Sequence, residues 1–157
     1  MKSIENLNNI ENKIIILRLV LNVPINNGKI TDTNRIDKII PTLNFFVKKK
    51  AKIIIVSHIG RPNGKIVHEL SLEPVSSCVE RMIKKKVTLI KENISNLNKK
   101  NIFINSKDNI VLLENIRFYP GEEANDDEFS KKLANLGDIY VNDAFSCSHR
   151  AHASISK

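Results

Sequence analysis

The sequence predicts an α/β fold: a Rossmann-like, three-layer αβα domain with a mostly parallel sheet. Two observations carry this. Short β-branched runs alternate with stretches of helical spacing along nearly the whole chain. The runs are continuously apolar rather than alternating, which is the pattern of strands buried on both faces. The length of 157 residues fits one domain over 1–157, large enough to bury roughly 70% of its unfolded surface.

The elements follow in order. Ile14–Leu21 reads IIILRLVL and suits a first buried strand, stopped by Asn22-Val23-Pro24, with a turn at Asn26-Asn27-Gly28. Ile36, Ile39, Ile40, Leu43, Phe46 and Val47 follow the i, i+3, i+4, i+7 rule of a helix, with Asp32 or Thr33 as N-cap and Lys48–Lys50 in the last turn. Ala51 to Val56 is a second strand, followed by a polar loop containing Pro62 and Gly64. A second helix runs from about Pro74, a residue suited to a first turn, to Lys86 with Val75, Cys78, Val79 and Met82 inward. Val87–Ile90 and Ile110–Leu113 read as strands, and 91–109, rich in Asn and Lys, shows no period. Asp126 or Asp127 caps a helix with Phe129, Leu133 and Leu136 inward, ended by Gly137. Ile139–Val141 is the last strand, and a further helix opens near His149.

Composition narrows the function. The net charge is +8, which favours anionic partners. Only six of the 25 basic residues are arginine, and Arg35, Arg61, Arg117 and Arg150 fall in polar segments beside Gly, Pro, Asn, Asp or His. A guanidinium offers a planar fork of donors that fits carboxylates and phosphates, whereas an ammonium is a point charge. Lysine coats the helices; arginine is kept for loops. In a parallel α/β sheet the ligand sits beyond the carboxyl ends of the strands. Here those ends are Asn22, Ser57-His58, Glu114-Asn115 and Asn142-Asp143, and the four arginines should converge on one crevice there. Arg18, inside a strand, and Arg81, inside a helix, read as structural.

Other classes are disfavoured. Aromatics make up 5% and the arginines form no stripe, so nucleic-acid binding is not expected. No apolar run is long enough to span a bilayer and no signal peptide opens the chain, so neither a membrane nor export is expected. The two cysteines, Cys78 and Cys147, lack metal-ligand spacing, which fits a reduced, cytoplasmic protein. His149 and His152 with Asp143 lack further ligands, so no metal site is expected. Neither a Gly-x-Gly-x-x-Gly nor a P-loop pattern occurs.

Five ordered motifs go further. They are Arg18 with Asn22-Val23-Pro24; Gly28-Lys29-Ile30-Thr31-Asp32 with Arg35-Ile36; Ser57-His58 with Gly60-Arg61-Pro62; Leu113-Glu114-Asn115 with Arg117-Phe118 and Pro120-Gly121-Glu122-Glu123; and Tyr140-Val141-Asn142-Asp143-Ala144-Phe145 followed by His149-Arg150-Ala151-His152-Ala153-Ser154. Together, from about Lys13 to the end, they closely resemble the N-terminal domain of the phosphoglycerate kinase family. The resemblance implies reversible phosphoryl transfer between 1,3-bisphosphoglycerate and ADP, giving 3-phosphoglycerate and ATP, in a glycolytic, monomeric enzyme. It implies that Asn22 contacts the substrate near its hydroxyl and carboxylate. His58, Arg61, Arg117 and Arg150 would hold the non-transferred phosphate, and Arg35 would act on the phosphoryl group in flight. Mg-ATP or Mg-ADP would be a co-substrate of a second domain, which this chain does not contain, so that the chain alone is expected not to turn over. The other reading is a stand-alone anion-binding module without kinase activity. Two positions depart from the family pattern: Val20 stands where an Asp is usual, and Ser146 where a Gly is usual.

Overall fold

Buried isoleucine, leucine and valine runs place five strands side by side, and their spacing along the chain leaves room for a covering element between each pair. The computed structural model describes residues 9–19, 21, 23–123 and 126–142. In chain order these are β1 (Ile14–Arg18), β2 (Ile25–Asn26), β3 (Lys29–Ile30), α1 (Asn34–Lys48), β4 (Lys52–Val56), α2 (Glu73–Ile83), β5 (Thr88–Ile90), β6 (Ile110–Leu113), α3 (Pro120–Glu123), α4 (Asp127–Ala134) and β7 (Ile139–Asn142). The main sheet has the order β5-β6-β4-β1-β7. Every pairing in it is parallel. β2 and β3 form a separate antiparallel ribbon around Asn27-Gly28.

Alternate side chains of the strands feed two cores. Ile15, Leu17, Ile53, Ile55 and Leu112 pack with Ile36, Leu43 and Phe46 of α1 and with Val75 and Val79 of α2. Ile14, Ile16, Ile54, Val56, Val111 and Leu113 pack with Phe129 and Leu133 of α4 and with Ile94 and Ile102. The three expected layers are therefore present. At about 1.5–3 kcal/mol for each fully buried aliphatic side chain, these two cores drive the assembly.

The chain runs outward from β1 to β4 and on to β5 and β6, then crosses back to β7 on the far side of β1. The order reverses between β1 and β7, and in open parallel sheets ligands bind beyond the carboxyl ends at such a point. The opposite edge is closed tightly. Ile14 N donates to Asp138 Oδ2 at 2.9 Å and Asp138 N donates to Ile14 O at 2.8 Å. A Cβ on Gly137 would lie 2.5 Å from Ile16 Cγ1 and 3.3 Å from Ile14 O, so glycine lets this join close.

Several boundaries differ from the sequence reading. β1 ends at Arg18 rather than Leu21, because the Ser57 hydroxyl takes over the next backbone groups: it donates to Leu19 O and accepts from Leu21 N. α1 carries Pro41 in its interior, a residue that removes one helical donor. Thr33 is its N-cap position but makes no side-chain cap; Asp32 Oδ1 accepts from Asn34 N instead. α2 stops at Ile83 rather than Lys86, with Lys84 left-handed at φ 58°. Segment 91–109 folds through asparagine side chains: Asn93 accepts from Ser95 N, Asn98 from Lys100 N and Asn101 N, and Asn101 from Asn98 N. Among the described residues, five of the seven non-glycine positions with positive φ are asparagine. This explains how so asparagine-rich a chain turns with so few glycines. The helix expected near His149 lies outside the described residues.

Two measurements check this account. Lys84 is a long side chain held in a conformation that costs an L-residue about 1–2 kcal/mol, so Lys84→Gly is expected to raise stability by about 0.5–1 kcal/mol in chemical denaturation. An unchanged or lower midpoint would count against strain at this cap. Asp138 has its carboxyl held below the ordinary 3.8, chiefly by the hydrogen bond from Ile14 N and then by Lys99. A depressed folded pKa contributes stability that is present above the unfolded value and lost as pH falls through the folded one. Acid titration of stability below about pH 4 should therefore be shallower in Asp138→Asn than in the unaltered chain; parallel curves would show that Asp138 is not linked to folding.

Candidate anion site at the carboxyl edge of the sheet

Where a parallel sheet ends, the last backbone N–H and C=O groups lose their ladder partners while still shielded from water, and each must be satisfied otherwise. Two buried side chains do this. Ser57 follows β4; its Oγ donates to Leu19 O at 2.7 Å and accepts from Leu21 N at 3.1 Å, while its carbonyl accepts from Ile116 N at 3.0 Å. Asn115 follows β6; its Nδ2 donates to Ile59 O at 2.8 Å and Leu70 O at 2.9 Å, and its Oδ1 accepts from Arg117 N at 3.1 Å. The segments after β1, β4 and β6 are thereby tied into one block. Glu114 adds a third tie, accepting from Ser71 Oγ, Leu72 N and Asn115 N, and so joins the entry to α2 to the same block.

The predicted site residues fall on this block unevenly. His58 and Arg117 are buried, at 5% and 4% exposure. Arg117 Nη1 donates to Gly60 O at 3.5 Å and its carbonyl accepts from Gly64 N at 3.0 Å, so the loop bearing the exposed Arg61 lies against the segment bearing Arg117. Arg35 is exposed in the first turn of α1. Among the described residues no hydrogen bond or ion pair ties it to the cluster. Asn22, Arg150 and the departures at Val20 and Ser146 lie outside the described residues, as do Asp143, Cys147, His149 and His152. Cys78 is buried with its thiol against the Met82 sulfur and packs as an apolar residue.

The sequence reading takes Arg18 as structural, and the structure shows what it meets. Arg18 is fully buried at the carboxyl end of β1. Its Nη2 lies 3.3 Å from His58 Nδ1 and its Nη1 lies 3.5 Å from Oε1 of the equally buried Glu122 in α3. Its position in an apolar run concealed it. The available signal was the rarity of a fully buried arginine without a specific partner, on a strand whose end faces the crevice.

Two larger cavities touch the block only at its Ser71–Glu114 side. One of about 440 Å³ is lined by His68, Lys91, Glu114, Phe118 and Tyr119. Burial pushes the Tyr119 phenol above its ordinary range. The other, about 700 Å³, lies between the β2–β3 ribbon and α2 and is lined by Lys29, Thr33, Pro74 and Cys78. Neither is lined by His58, Arg61 or Arg117. Among the described residues no group of three or more His, Cys, Asp or Glu could hold a metal ion. No helix among them is long and apolar enough to cross a membrane.

A three-layer arrangement around an all-parallel main sheet, with buried arginine and histidine at the carboxyl ends of adjoining strands, places the chain in the class of Rossmann-like α/β domains. The sequence model described as phosphoglycerate kinase matches residues 4–157. The chain is 48% identical over 155 residues to the phosphoglycerate kinase of Wolbachia sp. subsp. Drosophila simulans (strain wRi), covering 99% of this chain and 38% of that protein. It is 46% identical to the Chelativorans sp. (strain BNC1) phosphoglycerate kinase, covering 98% of this chain and 38% of that one. The solved phosphoglycerate kinase of Coxiella burnetii matches it with a TM-score of 0.86 at 40% identity, over 98% of this chain and 38% of that one. The Pyrococcus horikoshii OT3 enzyme matches with 0.84 at 28%, over 98% and 39%. The chain belongs to the phosphoglycerate kinase family, and spans about 38% of the length of the relatives it matches.

Gly60 lies between His58 and Arg61 at φ 64°, and a Cβ there would come 2.6 Å from Leu70 Cδ2. Gly60→Ala is therefore expected to cost about 1–3 kcal/mol of folding stability and to misplace Arg61. Denaturation of the variant checks the first effect; a stability equal to the unaltered chain would show that the loop relaxes freely.

Proposed function

We propose that this chain is the phosphoglycerate-binding portion of a phosphoglycerate kinase. It would serve the reversible transfer of a phosphoryl group between 1,3-bisphosphoglycerate and ADP, giving 3-phosphoglycerate and ATP. The observation that carries the reading is the buried pair His58 and Arg117 on adjoining strand ends, with Arg61 on a loop bound to both segments. In this reading His58, Arg61, Arg117 and Arg150 hold the phosphate that is not transferred. Charge-assisted hydrogen bonds are worth about 1.5–3 kcal/mol each, so a few of them on one dianion suffice for specific binding. Asn22 contacts the hydroxyl and carboxylate end. Arg35, exposed at the start of α1, is kept for the phosphoryl group in flight.

The chemistry asks little else of this portion. The nucleophile is an ADP phosphate oxygen in one direction and a carboxylate in the other, and neither needs a general base. Positioning and stabilisation of the moving charge carry the reaction. The nucleotide, with magnesium, belongs in this reading to the part of the relatives' length that this chain does not span. The 157 residues are accordingly not expected to turn over alone.

Calorimetric titration with 3-phosphoglycerate, and with duplex DNA as the competing anion, tests the proposal. Saturable 3-phosphoglycerate binding that Arg61→Ala or Arg117→Ala weakens about tenfold or more is expected. Steeply salt-dependent DNA binding without phosphoglycerate binding would overturn it. Val20 cannot accept the hydrogen bond that an Asp there offers a substrate hydroxyl, so Val20→Asp should tighten 3-phosphoglycerate by about 1–3 kcal/mol. An unchanged affinity would remove position 20 from the site. In a protein that also carries the nucleotide portion, Arg35→Ala should lower kcat more than it raises KM; a pure loss of affinity would reassign Arg35 to binding.

A further inference from the structure

We infer that Arg18 is a positioning residue for His58: its buried guanidinium fixes the imidazole as the Nε2–H tautomer, so the ring meets an anion as a hydrogen-bond donor. The inference rests on the proposed function only for the identity of that anion. Arg18 Nη2 and His58 Nδ1 are 3.3 Å apart. A guanidinium donates and never accepts, and it keeps its proton in proteins. The lone pair must therefore be on Nδ1, and in a neutral ring the single N–H is then on Nε2. A proton on Nδ1 would set N–H against N–H between two side chains that are 5% and 0% exposed.

Glu122 is the other half of the device. Its Oε1 lies 3.5 Å from Arg18 Nη1, and both side chains are wholly buried. It offsets the charge that would otherwise be stranded in the interior, by proximity rather than by a hydrogen bond to Nη1. The arrangement is a poor way to gain stability. Buried ion pairs commonly do no better than apolar residues of the same volume. Arg18 Nε and Nη1 also have no hydrogen-bond partner among the described residues. Packing does not account for an arginine here; one fork spanning His58 and Glu122 does. Lysine, with a single ammonium, lacks the fixed fork that makes both contacts at once.

Nitrogen-15 NMR of the histidine rings, in the whole chain and at a pH where imidazole is neutral, reads the tautomer directly. The unaltered chain should show His58 with a protonated Nε2 and a bare Nδ1. In the double variant Arg18→Met, Glu122→Gln, which removes both buried charges together, the ring should become a mixture of tautomers, and 3-phosphoglycerate binding should weaken about tenfold. Arg18→Lys should not restore either readout. A protonated Nδ1 in the unaltered chain, or an unchanged tautomer in the double variant, would overturn the inference. If the double variant does not fold, His58→Gln and His58→Leu still decide it. A glutamine amide can accept from Arg18 and donate to phosphate, so it should bind within a few-fold of the unaltered chain, whereas leucine should lose about tenfold. Equal losses in the two would refute a donor role. An Nε2–H tautomer that depends on Arg18, in a chain that binds no 3-phosphoglycerate, would uphold Arg18 as the positioning residue and reject the proposed ligand.

Discussion

The constraint on which the rest depends is that all five strands of the main sheet run the same way. A parallel sheet sends every carboxyl end to one edge, where the ladder stops but the backbone is not yet in water. Leaving buried amides unpaired costs about 1–3 kcal/mol each, so the side chains at this edge are conscripted first as backbone substitutes. Ser57 and Asn115 serve that purpose, each bonding two or three main-chain groups: Ser57 two in the segment after β1, Asn115 one after β4, one before α2 and one in its own segment. Arg117 and His58 are held buried on that block. The site is thus a consequence of how the sheet terminates, rather than an addition to it.

Charge is distributed by the same logic. The opposite end of β1 is fastened by an exposed-side device, Asp138 with Ile14 N and Lys99, where water shields the charges and small deviations are tolerated. At the carboxyl edge the ion pair of Arg18 and Glu122 is wholly excluded from solvent. Desolvating two ions is unfavourable, and their attraction repays it only with good geometry. That the two buried basic residues here, Arg18 and Arg117, are arginine rather than lysine fits the weaker hydration and planar fork of the guanidinium. The economy of arginine visible in the composition therefore has two levels: Arg61 and Arg35 are exposed, while Arg117 and Arg18 are buried at the edge.

Much of this was legible in the sequence because the signals were periodic. Ile110–Leu113 coincides with β6, and the Lys52–Val56 strand and α1 differ from expectation by a residue or two. Burial on both faces makes strands continuous apolar runs, and amphipathic helices repeat at 3.6; local pattern and global fold agree there. Legibility failed where side chains replace the backbone ladder. Residues 91–109 have no period because asparagine side chains close their turns, and β1 is three residues shorter than its apolar run because Leu19 and Leu21 are held by Ser57, just after β4. The candidate site was read as a set of loop arginines at strand ends, of which Arg61 and Arg117 lie on one block of the structure. Arg18 was not legible, since nothing in an apolar run distinguishes a charge that is merely tolerated from one that spans two buried partners forty and more residues away.

That failure has a general cause. Long-range side-chain contacts carry no local period, yet they decide which of several polar residues at an edge can work together. Arg18 meets His58 because β1 and β4 pair in register, with Arg18 opposite Val56 and His58 two residues on. A slip of one residue would turn Arg18 to the other face of the sheet. The register is enforced by the two apolar cores, Ile15 and Leu17 on one face and Ile14 and Ile16 on the other. The hydrophobic pattern of β1 thus does double duty: it drives folding, and by fixing register it determines which charged side chain stands beside the histidine at the sheet's end.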